Sequence, residues 1–590
     1  MYLKKTPTNG RIYLSFVQGY RSNGKVKSKT IEKIGYLDDM QKLYDDPIAH
    51  FTAVAKERNS VNSSERSIEV ALNHRLENNT STRKNLGYAV AKRIYSFLGI
   101  NKFLQNKQNQ LNIDYNLNSI FSLLIYNRFL FPSSKKKPFD NRDFFFESYD
   151  FSLDDLYRSL DYFSQYSEQL QKHLHEKVCE NIGRDDKLGY YDVTNYYFEI
   201  PYNDEDKYDD QGVLLKKGFR KKGPSKEHRP DPIVQMGLLM DSNGVPMAFN
   251  TFSGGESEKT SLIPIIRRVK KDYGIERIIT VADRGLNTSD NTAFLAGIND
   301  DYSKGHDGYV YGQSILSGDK EFKAWVLKQD AYIRTREIDK NGEEIIFTHK
   351  SRLYAKPIRL ENSQGKRNLK MNIYQKQMVY YSAKYAEKQK KERELVLLKA
   401  KDLISSPGKY TRATSFGAAG YINNIKFVKE TGQIPDGLSL SLNLDKIAEE
   451  EKYDGYYSIV TSEKNLSDVE IRNIYKGLWE IEESFKIIKS EFKARPVYLK
   501  LENHINAHFL ICFVSLLILR VLECKLDKKY SVQQIRESLI RYSCSHLDQN
   551  FYLFDYRDEI LQSLEAIFDL DFGNKIMSTS EIKKILQYQR

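Results

Sequence analysis

Hydrophobic positions change their period several times along the chain. Near the N-terminus they alternate: Ile12, Leu14 and Phe16 share one face, Ser22-Asn23-Gly24 offers a turn, and 26–36 returns, which predicts a hairpin. Residues 55–85 are polar, rich in Ser, Asn, Arg and Glu, and read as a linker or mobile helix. From about 86 to 182 the period becomes helical: Leu86 to Ala91 running on to Ile94 and Leu98, then 120–130, then a helix over 156–174 capped by Ser152. From about 187 short apolar runs at 188–200, 233–240 and 244–252 predict three strands. A helix at 260–273 and a strand at 275–282 follow, which is an α/β layout with a mixed sheet. Residues 305–465 return to β character, with a hairpin pairing 333–338 to 343–348 and a strand at 369–381. A charged helix at 383–404 interrupts them, and from Ser467 onward helices dominate. The expected divisions are 1–85, 86–182, 183–304, 305–453, 454–525 and 526–590.

Charge narrows the possible partners. Lys and Arg number 91 against 79 Asp and Glu, a net +12, with a sequence pI near 9.0, which favours a polyanion: nucleic acid first, an anionic membrane second. The four cysteines (Cys179, Cys512, Cys524, Cys544) form no CxxC pair, which excludes a disulfide framework or cysteine-rich zinc site and suits a reducing cytosol. The ten histidines show no HExxH spacing. The N-terminal stretch lacks the apolar core of a signal peptide. The longest apolar run, 509–519, is about half the ~20 residues a bilayer needs and reads as a buried core helix. The lysines of the N-terminal hairpin suit either a solvated edge that resists strand pairing or a contact to a nucleic-acid backbone.

Three acidic residues stand out. Asp192, in Tyr190-Tyr191-Asp192-Val193-Thr194, lies inside a strand; Asp283, in Val281-Ala282-Asp283-Arg284-Gly285, ends another. A carboxylate in an apolar strand costs free energy unless paired, and two on neighbouring strands call for a shared cation. Beyond the capping box at Ser467 and Glu470, Tyr475, Glu482 and Lys489 recur every seven residues, nearly two turns, so they share one helical face. Glu480 and Glu483 point off that stripe. The loop 216–229 is crowded with Lys216, Lys217, Arg220, Lys221, Lys222, Lys226 and Arg229, close after the strand of Asp192, which suits contact with a phosphate backbone. Trp479 is placed either to stack on an unpaired base or to fill a core.

Together, these residues resemble the DDE transposases of bacterial insertion sequences. The similarity is to the branch whose RNase H-like, retroviral-integrase-like core is split by a β-rich insertion before the glutamate. Lys217-Gly218-Phe219-Arg220, the 223–231 segment and Gly254-Gly255-Glu256 through Lys259-Thr260 are also similar to that branch's core segments. The resemblance implies an α/β, RNase H-like mixed-sheet core with an N-terminal hairpin, a helical DNA-binding region and a helical C-terminus. It also implies metal-dependent cleavage at terminal inverted repeats and strand transfer into target DNA. Asp192, Asp283 and Glu482 would be both catalytic and metal-binding, with two Mg²⁺ ions (Mn²⁺ substituting) held by oxygen ligands alone. Tyr475, Lys489, Lys486, Arg284, Arg220, Lys222, Lys226, Arg229 and Trp479 would touch DNA. The expected partners are double-stranded DNA, at element ends and target, and a second copy of the chain. The expected place is the bacterial cytoplasm at the nucleoid, with no membrane. One position departs from the pattern: three residues after the tyrosine the family carries arginine, and here stands Leu478, leaving Lys476, Lys486 or Arg284 to supply the charge. The alternatives are a structure-specific nuclease on the same core, or a DNA-binding protein that has lost activity.

Overall fold

The computed structural model describes all residues except 23–24, 62–74, 76–77, 79, 228, 299–306, 339–343, 362–368, 413, 429–430, 548–549 and 588–590. The tips of the two expected hairpins, Asn23-Gly24 and 339–342, and most of the expected linker therefore lie outside the described residues. The chain divides into two compact units: residues 1–81 with 546–551, and 82–545 with 552–590.

The first unit holds β1 (Tyr2–Thr8), β2 (Arg11–Ser22) and β3 (Lys25–Tyr36) in an antiparallel sheet, so the expected hairpin has a third strand, and a helix over Pro47–Val61 follows it. Register shifts between β2 and β3 fall at Leu14/Ser15 and Phe16/Val17. These irregularities break the strict alternation, and four successive residues, Leu14 to Val17, are buried. Arg11 pairs with Asp38 (2.8 Å) and Asp39 (2.9 Å), so part of the hairpin's positive charge is met within the unit.

The second unit begins with β4 (Arg83–Asn85) and a helical layer. Its Leu117–Leu130 helix is capped by Asn116 and buried over nearly its whole length. The single helix expected over 156–174 is two helices, Leu153–Gln165 and Ser167–Asn181, broken at Tyr166; the Ser152/Asp155 capping box that opens the first is present. Next come β5 (Leu188–Tyr197), a small hairpin of β6 (Lys207–Tyr208) and β7 (Leu214–Lys216), β8 (Ile233–Met240), β9 (Pro246–Ser253), a helix at Leu262–Tyr273, β10 (Ile279–Ala282) and β11 (Gly308–Gln313). Beyond them lie β12 (Ile333–Ile338), β13 (Glu344–Leu360), β14 (Leu369–Tyr381), the long helix Ala383–Ser405, a short pair β15 (Ile422–Asn423) and β16 (Ser441–Leu442), and β17 (Tyr456–Thr461).

One nine-stranded sheet joins most of these in the order β12-β13-β14-β17-β11-β10-β5-β8-β9. β10 runs parallel to β5 and β11, and the other pairings are antiparallel. One expectation changes here. β11, placed in the insertion from sequence, is a core strand beside β10. The β-rich insertion, whose placement against the core was not expected either way, is continuous with the core sheet, because β17 pairs with β11 on one side and β14 on the other.

Alternate strand residues feed two apolar layers. Tyr190, Tyr196, Val281 and Ile459 pack with the helices of 471–522, while Tyr191, Val193, Ala282 and Val460 pack with the Leu262–Tyr273 helix. The Glu502–Lys525 helix is long and apolar enough to cross a membrane, yet 94% of its most apolar window is buried inside the protein, as a core helix requires. The C-terminal region is not purely helical: β18 (Ser543–His546), β19 (Phe551–Phe554) and β20 (Ile576–Ser578) form a sheet that ends on β4.

Candidate active site

Strand register brings the two aspartates together. β5 and β10 are parallel neighbours with Tyr191 opposite Ala282, so the next residues along, Asp192 and Asp283, stand side by side at the C-terminal ends of the pairing. Period two decides their direction. Tyr190 and Val281 face the 471–522 helices, and Asp192 and Asp283, two residues further, face the same way.

Burial pushes the Asp192 carboxyl up to about 6; Lys226 pulls against that shift, while Asp283 and Glu258 add to it. Lys226 donates its ammonium to the Val193 carbonyl. Asp283 is exposed and accepts from the Arg284 amide (2.6 Å), which starts a short turn over Arg284–Leu286. Glu258 is thus a third carboxylate within electrostatic reach of Asp192; its signal was its place in the Gly254–Thr260 segment, where no single residue stood out.

The helix expected to carry Tyr475, Glu482 and Lys489 is not continuous. It runs Asp468–Lys476, tightens through Gly477 and Leu478, resumes over Trp479–Lys486 and opens into a π-helical turn at Ile487–Glu491. The tightening has a visible cause. The Tyr190 hydroxyl donates to the Ile474 carbonyl (3.0 Å), and a Cβ on Gly477 would lie 2.0 Å from the Tyr190 hydroxyl oxygen. The helix therefore crosses β5 one side-chain pair from Asp192, and only glycine permits so close a crossing.

One end of the stripe reaches Asp283 and the other reaches Lys226, the cation beside Asp192. Tyr475, buried, shares a 2.9 Å hydrogen bond with the Tyr457 hydroxyl, and its phenol is pushed far up by burial, with Tyr457 and then Asp283 adding. Lys489 donates to Glu227 (3.1 Å) and lies within reach of Lys226, the cation beside Asp192; burial pulls its ammonium down. Glu482 lies between them, exposed, with no hydrogen bond or ion pair among the described residues. Its rivals are engaged: Glu480 pairs with Lys528 (2.9 Å) and Glu483 with Arg520 (3.2 Å).

Oxygen-only ligands and an excess of carboxylate over lysine around Asp192 suit a hard divalent cation. Among the described residues no group of three His, Cys, Asp or Glu side chains converges closely enough to hold a metal, and Asp192, Asp283 and Glu482 do not form one here.

Many cations expected to hold DNA are already paired. Arg220 grips Asp204 through two nitrogens (2.6–3.1 Å), Lys221 pairs with Asp206 (2.9 Å), Lys216 with Glu502 (2.7 Å) and Arg229 with Asp231 (2.7 Å) while lying over the Tyr197 ring. These bonds shape the loop. Lys222, Lys486 and Arg284 are exposed, as is Trp479 at 50%, which excludes the core reading of that tryptophan. Leu478 is 8% exposed and belongs to the core, so no cation stands at its position.

Residues 3–67 match the model described as IS1634 family transposase, N-terminal domain, and residues 208–518, more than half of the chain, match the Transposase DDE domain. The second match includes Asp283 and Glu482 and begins beyond Asp192. No curated protein matches the chain. Among solved structures it is similar to the Mos1 transposase paired-end complex with left transposon end, at 10% identity and a TM-score of 0.13, over 42% of this chain and 64% of that one. The Mos1 mariner paired end complex with Mn aligns at 11% identity and the same TM-score, over 45% and 73%. The chain thus spans just under two thirds of the first Mos1 chain. The domain match and the mixed sheet with helices on both faces make the core α/β and RNase H-like.

Proposed function

The chain belongs to the DDE transposase family, and on that premise we propose that it cleaves DNA strands at the terminal inverted repeats of an insertion sequence and transfers the freed ends into target DNA. The observation that carries the reading is the pairing of Asp192 with Asp283 on the sheet face covered by the Tyr475-to-Lys489 segment. A DDE domain implies dependence on a divalent metal; Mg²⁺, as two ions with Mn²⁺ able to substitute, is the proposed species. When bound, it supplies activation of the attacking water or 3′-hydroxyl and neutralises charge on the leaving oxygen.

The chain's own part is positional. Asp192 and Asp283 hold the cation side of the site, and Glu482, unpaired on its helix, completes it as the ends of DNA engage. Lys226 holds the stretch of β5 next to Asp192 through the Val193 carbonyl and limits the local negative charge. Glu227 ties Lys489 and Arg495 together, which anchors the far end of the stripe against the basic loop. Arg284, Lys486 and Lys222 offer exposed cations to phosphates and Trp479 an exposed ring to a base. Arg284 and Lys486 supply the charge that Leu478 does not. Both ends of an element must be cut and joined, so the proposed assembly is two copies of the chain on two DNA ends, at work on the bacterial nucleoid.

The test is incubation of the full chain with labelled duplexes carrying the element's ends, with Mg²⁺ or Mn²⁺. Nicking at the end, lost in Asp192→Asn with end binding retained, supports the reading. End binding without nicking under either metal moves the protein to a DNA-binding role on the same fold.

A further inference from the structure

A cavity of about 310 Å³ opens in the helical layer, apart from the aspartate pair. Its polar lining comprises Arg128, Ser133, Ser134, Lys135, Lys493 and Arg495 together with His508, and no carboxylate lines it. Two of the cations are deeply buried: Arg128 is 4% exposed and Lys135 6%.

Among the described residues neither of these two has an acidic partner. The Arg128 guanidinium donates to the carbonyls of Phe492 (2.7 Å) and Ser133 (3.1 Å), and its Nε is buried with no acceptor. Among the described residues the Lys135 ammonium has one hydrogen-bond partner, His508 Nδ1 at 3.3 Å. His508 Nε2 lies 3.1 Å from the Ala494 carbonyl, which can only accept, so Nε2 carries the proton and Nδ1 accepts from Lys135. That leaves two N–H groups of Lys135 without partners. Burial, then the positive neighbours, pull both the Lys135 ammonium and the His508 ring well below their usual ranges.

Buried charge without a counter-ion is costly, and a fold keeps it where something else supplies the opposite charge. The Ser133 hydroxyl accepts from the Asn127 amide (3.1 Å), so its own proton is available to a ligand oxygen. Lys493 is exposed and sits at φ +46°, a conformation unfavourable for a side-chain-bearing residue, at the turn that joins the π segment to the cavity wall. Arg495 is tied to Glu227 on its other side. Tyr157 and Tyr498 add aromatic wall, more than a lone anion would need.

From this arrangement we infer that the cavity binds a phosphate group, with Arg128 and Lys135 at its buried end, the serine hydroxyls as further donors and Lys493 as its outer cation. The tyrosines suit a sugar or base attached to that phosphate. The phosphate comes either from a free nucleotide or from the phosphodiester of a DNA strand, and both present the same oxygens. The inference rests on the cavity's residues and not on strand cleavage.

The test is thermal unfolding of the full chain without divalent metal, at constant ionic strength. Four probes are compared: chloride, inorganic phosphate, a 5′-mononucleotide and a short single-stranded oligonucleotide. A saturating probe should raise the wild-type Tm by about 1–3 °C over chloride. Lys135→Met should lose that rise while its Tm in chloride stays equal or higher, since an uncompensated buried charge has gone. Lys493→Ser should cut the rise with its chloride Tm unchanged, and it carries the test alone if Lys135→Met does not fold. A rise with phosphate or mononucleotide identifies the free source; a rise with the oligonucleotide only, lost in the variants, identifies the strand. If no phosphate-bearing probe separates wild type from either variant, the inference is overturned.

Discussion

Asp468→Asn tests how the insertion positions the catalytic helix. Asp468 is the first residue of the Asp468–Lys476 helix and is 8% exposed. Its carboxylate accepts from His349 Nδ1 on β13 (2.7 Å) and from Lys376 Nζ on β14 (2.8 Å), so two insertion strands hold the helix that leads to Tyr475 and Glu482. Burial pushes the Asp468 carboxyl up, but hydrogen bonds from His349, Lys376 and Ser351 outweigh it and hold it at about 2, against an ordinary 3.8. A native pKa below the unfolded one contributes stability above pH 4 that is lost as pH falls through 2. Nearly two units at 1.36 kcal/mol each come to about 2.5 kcal/mol at pH 7. Urea unfolding should therefore show Asp468→Asn less stable by about 2.5 kcal/mol at pH 7 and by roughly half that at pH 3. Strand nicking should fall by a larger factor than end binding, since the helix loses its tether. A difference below about 0.5 kcal/mol at pH 7, or one that does not shrink with acid, would refute the tether.

Other expectations concern the aspartate pair and the helix crossing. Asp192 has its carboxyl raised from 3.8 to about 6, so its ionisation costs stability as pH rises through that window. In EDTA at pH 7.5, Asp192→Asn should unfold later than wild type by up to about 3 kcal/mol, and at pH 4 the two should coincide. Saturating Mn²⁺ should stabilise wild type only, and equal stabilisation of Asp192→Asn would place the metal elsewhere. Gly477→Ala forces a Cβ to 2.0 Å from the Tyr190 hydroxyl. Urea unfolding should show a loss of about 1–3 kcal/mol, with nicking reduced in step; unchanged stability would mean that the crossing can yield.

Legibility in the sequence followed the range of the interactions. The strands at Ile233–Met240 and Leu369–Tyr381 were readable to the residue, because each is a compact β-rich run with polar or turn residues at its ends. Sheet order was not. That β17 bridges β11 and β14, turning the insertion into an extension of the core sheet, depends on pairings between residues some 80 to 150 apart, which no local period records. The break at Tyr166 was missed because apolar residues continue at helical spacing across it. In the candidate site, Asp192 and Asp283 were legible as carboxylates out of place in apolar strands, and Glu482 as a member of a seven-residue stripe. In the basic loop the sequence did not show which cations are paired within the chain. Asp204 and Asp206 before the loop and Asp231 just after it pair with Arg220, Lys221 and Arg229, and Glu227 within it pairs with Lys489, a signal present in the interleaved charges. Asp468 and His349 carried no signal, since their pairing spans 119 residues.

Which glutamate serves the site can be settled by substitution. Glu480, Glu482 and Glu483 lie within one turn of helix, but only Glu482 is unpaired among the described residues, whereas Glu480 and Glu483 hold Lys528 and Arg520. Single glutamine variants of the three should be compared for unfolding and for Mn²⁺-dependent nicking of labelled element ends. Glu482→Gln should nick at least about 10²–10³-fold more slowly with an unchanged Tm, while Glu480→Gln and Glu483→Gln lose stability and keep nicking below their melting range. Nicking at the wild-type rate by Glu482→Gln would contradict the account.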